Sequence, residues 1–90
     1  MPQAPSTFRA THSAGTISSS PVKVQTRKGR GFRVRVKNTG SNPLGISFDS
    51  GNTFYTISAG AEFAEDIVFH YFYLIASSGD TTYTALLFEG

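Results

Sequence analysis

Ninety residues make one domain, and so short a chain buries a smaller share of its surface than a long one, so partners are expected to supply part of its stability. With no cysteine, a disulfide framework, a thiolate nucleophile and a cysteine metal site are excluded. No run reaches the roughly 18 apolar residues that span a bilayer. The opening Met1-Pro2-Gln3-Ala4-Pro5-Ser6-Thr7 lacks the apolar centre of a signal peptide, so synthesis in the cytoplasm with no membrane partner is the expectation.

The net charge of +2 conceals a division: all eight basic residues lie between Arg9 and Lys37, and all six acids from Asp49 onward. Two readings follow. Either the first half contacts an acidic partner, or the halves meet within the domain and largely cancel.

Residues 1–20 are rich in Ser, Thr, Ala, Pro and Gly, with only Phe8 and Ile17 large and apolar. That composition predicts an extended N-terminal arm which orders when something holds it. From Pro21 to the end at Gly90 the pattern becomes that of a β domain, with short runs of period two between turns. Val22-Lys23-Val24-Gln25-Thr26, the charged turn Arg27-Lys28-Gly29-Arg30-Gly31 and Phe32-Arg33-Val34-Arg35-Val36-Lys37 read together as a hairpin. Its second strand sets Phe32, Val34 and Val36 on one face, as core, and Arg33, Arg35 and Lys37 on the other.

The breaker cluster Asn38-Thr39-Gly40-Ser41-Asn42-Pro43 precedes a strand in which Leu44, Ile46 and Phe48 alternate with Gly45, Ser47 and Asp49. A turn at Asp49-Ser50-Gly51-Asn52 leads to Thr53–Ile57, and Glu62-Phe63-Ala64-Glu65-Asp66 reads as a polar edge segment whose carboxylates discourage pairing with other sheets. Ile67 to Ile75 is apolar on both faces apart from His70, which predicts a strand covered on both sides. After Ser77-Ser78-Gly79-Asp80 comes a last strand, Thr81 to Phe88, apolar on both faces near its end. The expected fold is all-β: a small antiparallel β-sandwich or barrel, jelly-roll-like, of about six to eight short strands.

Little in this chain suits catalysis. Of two histidines, His12 falls in the arm and His70 in the most apolar strand, where an imidazole is expected to be structural. Glu62, Glu65 and Asp66 would need a walled groove to act as a carboxylate pair, and a solvated strand edge accounts for them. The stretch Asp49-Ser50-Gly51-Asn52-Thr53 offers oxygen ligands but lacks the spacing and closing Glu of a calcium loop, so an Asx-type turn is expected. No catalytic residue, cofactor or metal is predicted. Arg27-Lys28-Gly29-Arg30-Gly31-Phe32-Arg33 interleaves cations with a ring, as nucleic-acid platforms do, and Arg30-Gly31-Phe32 begins like an RNP1 motif. The match ends at Arg33, where a small residue belongs, and at Val34, where a stacking ring belongs.

From Val36 to Gly60 the order Val-Lys-Asn-Thr-Gly-Ser-Asn-Pro-Leu-Gly-Ile-Ser-Phe-Asp-Ser-Gly-Asn-Thr-Phe-Tyr-Thr-Ile-Ser-Ala-Gly, followed by Thr82-Tyr83-Thr84-Ala85-Leu86-Leu87, resembles small β-sandwich virion proteins of tailed bacteriophages. The resemblance spans residues 32–88. It implies a structural protein of the particle, of the capsid decoration (cement) kind, made in the host cytoplasm and located in the virion. The implied partners are the major capsid protein or another virion protein, with the chain present as a homo-oligomer or as symmetric copies on a shell. For that role the expected contacts are Phe8 and Arg9 on the arm, Arg27, Lys28 and Arg30 in the turn, and Arg33, Arg35 and Lys37 on the strand. Two alternatives stay open: a head-tail, tail accessory or receptor-binding protein, which would expose rings among Phe54, Tyr55, Tyr71 and Tyr73, and a small single-stranded nucleic-acid-binding barrel.

Overall fold

The computed structural model describes residues 9–27 and 29–90. Among them all regular structure is β, in eight strands: β1 (Arg9–Ile17), β2 (Val22–Gln25), β3 (Gly31–Asn38), β4 (Leu44–Ser47), β5 (Tyr55–Ile57), β6 (Glu62–Glu65), β7 (Tyr71–Ile75) and β8 (Thr81–Glu89). They form two four-stranded sheets, ordered β1-β8-β3-β6 and β2-β7-β4-β5. All pairings are antiparallel, and β1 with β8, β2 with β7, β3 with β6 and β4 with β5 nest like one long hairpin rolled over on itself. This is the jelly-roll arrangement anticipated from the turn spacing.

Alternation builds the core. Val34 and Val36 of β3, Phe72 and Leu74 of β7 and Leu87 of β8 are buried, each between more exposed neighbours, and Ile46 of β4 is buried with them. Rings fill the space between the sheets at one end: Phe48 lies 5.9 Å from Phe63, 6.0 Å from Phe69 and 5.5 Å from Phe72, centroid to centroid. At the other end the fully buried Asn38 acts as a polar tie. Its amide nitrogen donates to the carbonyls of Asn42 (2.8 Å) and Ile57 (2.9 Å), and its side-chain oxygen accepts from Thr81 Oγ1 (2.9 Å) and the Gly40 N–H (3.1 Å). In sequence Asn38 looked like the first residue of a surface turn. Here one side chain at the end of β3 satisfies groups from β8, the end of β5 and the loop that follows β3, as a buried amide must.

Several sequence expectations are corrected. The segment read as an arm contains a strand: β1 pairs with β8 along its full length, from Arg9 opposite Glu89 to Ile17 opposite Thr81. Composition misread it because an edge strand buries little; its anchors are Ile17 (1 % exposed), Ser13 Oγ on Tyr83 Oη at 2.6 Å and Thr11 Oγ1 donating to Glu89 at 2.7 Å. The expected hairpin of β2 and β3 does not form, since β2 pairs with β7 in one sheet and β3 with β8 and β6 in the other. Turn chemistry marks a change of direction and is silent about the sheet the chain enters next.

Phe32 is not core. The register of β3 against β8 slips between Gly31 and Arg33, so Phe32 is the extra residue of a bulge and is exposed. A bulge places two successive residues on one side and breaks the period-two rule locally. Gly31 is forced here, because a Cβ at this position would enter the Phe69 ring that packs against its backbone. Finally, Ile67 to Ile75 is not one doubly covered strand. Ladder pairing begins only at Tyr71, Val68 and His70 are exposed, and β7 alternates buried with half-buried residues.

Candidate docking face

The outward side of the β1-β8-β3-β6 sheet brings together three of the eight predicted contact residues. Arg33, Arg35 and Lys37 alternate with buried Val34 and Val36, so they project as one row. Across β8 they face Phe88, Leu86 and Thr84, and beyond these β1 contributes Ala10, His12 and Ala14. On the other flank β6 places Ala64 opposite Arg35 and Glu62 opposite Lys37. The face is therefore striped: small residues and His12, then an apolar row, then cations, then acids.

The charge division of the sequence is partly closed within this face. Arg33 Nε donates to Asp66 Oδ1 at 2.6 Å, and Arg35 holds Glu62 with two hydrogen bonds of 3.2 and 3.3 Å. Both pairs stand in solvent, where such contacts contribute about 0 to 1 kcal/mol. Arg33 also lies 5.7 Å from the centroid of Phe88, whose ring is 6.5 Å from that of Phe32. Lys37 has no ion-pair partner among the described residues. It lines a shallow open depression with His12, Arg35, Glu62 and Leu86.

The remaining predicted contacts separate from this face. Phe8 and Lys28 lie outside the described residues. Arg9 begins β1 opposite Glu89, and the turn carrying Arg27 and Arg30 closes on the same end of the sandwich. There the Arg27 N–H donates to Glu89 at 3.2 Å, and the Arg30 carbonyl accepts from the Gly90 N–H at 3.1 Å. Glu89 itself is 1 % exposed. It is a buried acceptor joining β1, β8 and this turn.

The outward side of the other sheet is aromatic. Tyr71 and Tyr73 meet edge to face at 5.8 Å, Lys23 Nζ sits 4.6 Å from the centre of the Tyr71 ring, and Tyr71 Oη contacts Ser50 Oγ at 3.1 Å. Phe54 and Ile75 close over Gly45, where an added Cβ would come within 3.2 Å of either. Tyr55, at the open flank, is 65 % exposed and packs on Phe63 at 5.5 Å.

The two histidines lie in different segments: His12 is on β1 in the outward face of the first sheet, and His70, expected within an apolar strand, is exposed in the bend before β7. The Asp49 turn is occupied by its own backbone and hydroxyls. Asp49 accepts from Ser47 Oγ at 2.6 Å, from the Thr53 N–H at 3.0 Å and from Thr53 Oγ1. Those bonds from Ser47 and Thr53 lower its pKa from 3.8 to about 2.

Sequence reasoning missed Leu86 and Phe88 as parts of the face. Their signal was present, since apolar residues on the outward positions of a half-exposed strand mark a surface patch. Glu62 and Asp66 were seen as edge charges, but their pairing with β3 follows from topology.

No protein-family model and no curated protein matches the chain. Among solved structures it is similar to a protein of unknown function from Vibrio parahaemolyticus (18 % identity, 82 % of this chain and 71 % of that one, TM-score 0.56). It is also similar to a protein of the disulfide-linked pili that form Bacillus endospore appendages (12 % identity, 91 % and 85 %, TM-score 0.62). A third is a cupin domain from Bordetella pertussis (8 % identity, 92 % and 82 %, TM-score 0.55). At these identities the likeness is one of fold alone.

Proposed function

We propose that this chain is a non-catalytic structural protein that attaches in many copies to a protein shell, of the decoration kind carried on the heads of tailed bacteriophages. The observation that carries this reading is the striped face of β1-β8-β3-β6, in which Leu86 and Phe88 lie beside a row of three cations. Such a face is broad and shallow, and apolar contacts flanked by charge are how one protein surface recognises another. The sequence resemblance over residues 32–88 supplies the virion as the assembly, with the major capsid protein or another virion protein as partner. Consistent with an assembly role, the space between the sheets is filled by Phe48, Phe63, Phe69 and Phe72 and leaves the outside of the domain as its working surface.

Co-sedimentation with shells stripped of this chain tests the reading. Wild type should bind to saturation, and the triple variant Arg33→Glu, Arg35→Glu, Lys37→Glu should lose about tenfold or more in affinity while melting within a few degrees of wild type. Undiminished occupancy of the variant would overturn it. The contribution of the leading segment is read by deleting residues 1–8 only, because a longer deletion removes β1 and uncovers β8.

A second reading rests on one observation: the bulge turns Phe32 outward beside Phe88 and Arg33, which sets two rings and a cation on one face. Single-stranded nucleic acid uses such a surface. Titration with an oligonucleotide at rising salt separates the two, because phosphate binding weakens steeply with salt.

A further inference from the structure

The four outer edges of the two sheets are unequally guarded. β6 carries Glu62 and Glu65 and is followed by Asp66; β5 has three residues; β2 has four and follows Pro21. Each of these is short, and acidic residues or a nearby proline keep a foreign strand from extending two of them. β1 is different. It has nine residues, Arg-Ala-Thr-His-Ser-Ala-Gly-Thr-Ile, paired with β8 on one side and with no described strand on the other. In an antiparallel strand alternate residues turn their N–H and C=O away from the neighbour already paired, so about half of β1 offers donors and acceptors to solvent. Its side chains leave that edge open, because Ala10, Ala14, Gly15 and Thr16 are small and exposed and its one formal charge, Arg9, stands at the end.

We infer that β1 is a self-pairing edge: two copies of this chain join β1 to β1, antiparallel about a twofold axis at Ser13, and make one continuous eight-stranded sheet. Full overlap of the nine residues sets this register, and charge permits it. With Ser13 facing Ser13 of the other copy, Arg9 faces Ile17, Ala10 faces Thr16, Thr11 faces Gly15 and His12 faces Ala14, so no two formal charges stand opposite each other. All nine positions are used, and inward residues oppose inward ones, so the striped faces of the two copies lie on the same side. A second copy approaching through β6 would instead set carboxylate against carboxylate. This inference concerns self-association and holds whether or not the chain decorates a shell.

One strand pair buries less than the roughly 1,200 Å² of a stable complex. A dissociation constant on the order of 100 µM is therefore expected, which dense packing on a surface would drive toward the dimer. Sedimentation equilibrium of the full chain from micromolar to millimolar concentration should show monomer and dimer only. Ser13→Glu and Ser13→Lys each place like charges on the axis and should weaken the dimer about tenfold, and mixing the two variants should restore it as a heterodimer. Both variants lose the same Tyr83 contact, so restoration on mixing reports the register and not folding. Should either variant fail to fold, amide shifts of the wild-type chain on dilution replace it, and these are expected to concentrate in β1. A wild type that stays monomeric, a mixture no tighter than its components, or shifts concentrated in another strand would each overturn the inference.

Discussion

The two outward faces of this sandwich are made from similar strand patterns and differ in how closely their side chains are packed. On the first sheet the outward Arg33, Arg35 and Lys37 of β3 are charged and solvated, and the ion pairs of Arg33 with Asp66 and of Arg35 with Glu62 each contribute little to stability. On the second, Tyr71, Tyr73 and Ile75 of β7 and Phe54 before β5 are half-buried, with Ile75 and Phe54 lying over the backbone of Gly45. On the proposed function, outward positions of one small domain are divided between recognition on the first face and cohesion on the second. Substitutions on the first face should change binding with little change in melting, and substitutions on the second should do the reverse.

The largest expected effect comes from a residue on neither face. Asn38→Ala would leave two carbonyls, a hydroxyl and an N–H in the interior without partners, at a cost of about 3 kcal/mol. For a chain of this length that lowers the melting temperature by roughly 10 to 25 °C. Both faces would loosen together, and calorimetry should show a single shifted transition. If Asn38→Ala melts within a few degrees of wild type, the tie does not hold the sheets and the comparison loses its common frame.

Next, Phe54→Ala removes the ring that closes over Gly45 and should cost about 2 kcal/mol, while leaving attachment through the first face unchanged. By contrast Arg33→Ala and Arg35→Ala should each change stability by less than about 1 kcal/mol and yet weaken attachment measurably. A loss of several kcal/mol at either arginine, read by chemical denaturation, would merge the two faces into one stabilising surface.

The smallest effect is conditional on pH. Because hydrogen bonds hold the Asp49 carboxyl near 2 against an ordinary value of 3.8, its contribution is complete above 3.8 and disappears as the pH falls through about 2. Asp49→Asn should therefore melt below wild type at neutral pH, and the gap should close on acidification. The carboxyl carbon shift of Asp49 followed by NMR should titrate near 2; a midpoint near 3.8 would mean that the Ser47 and Thr53 bonds are not kept in solution.

Sequence by itself determined the β class, an antiparallel sandwich of about six to eight short strands, the inward Val34, Val36, Ile46 and Leu87, the outward row Arg33, Arg35, Lys37 and the acidic edge at Glu62 and Glu65. These depend on period-two alternation and on turn residues, which act over a few positions and are written locally. Tertiary structure alone decided the rest. It sent β2 and β3 to different sheets, turned Phe32 outward through a bulge, buried Asn38, and laid the acidic β6 beside the basic β3 so that the halves of the chain meet. It also recruited Arg9–Ile17 as an edge strand. Each outcome depends on contacts between residues distant in sequence, and a strand held chiefly by backbone hydrogen bonds to its neighbour leaves almost no apolar signature of its own.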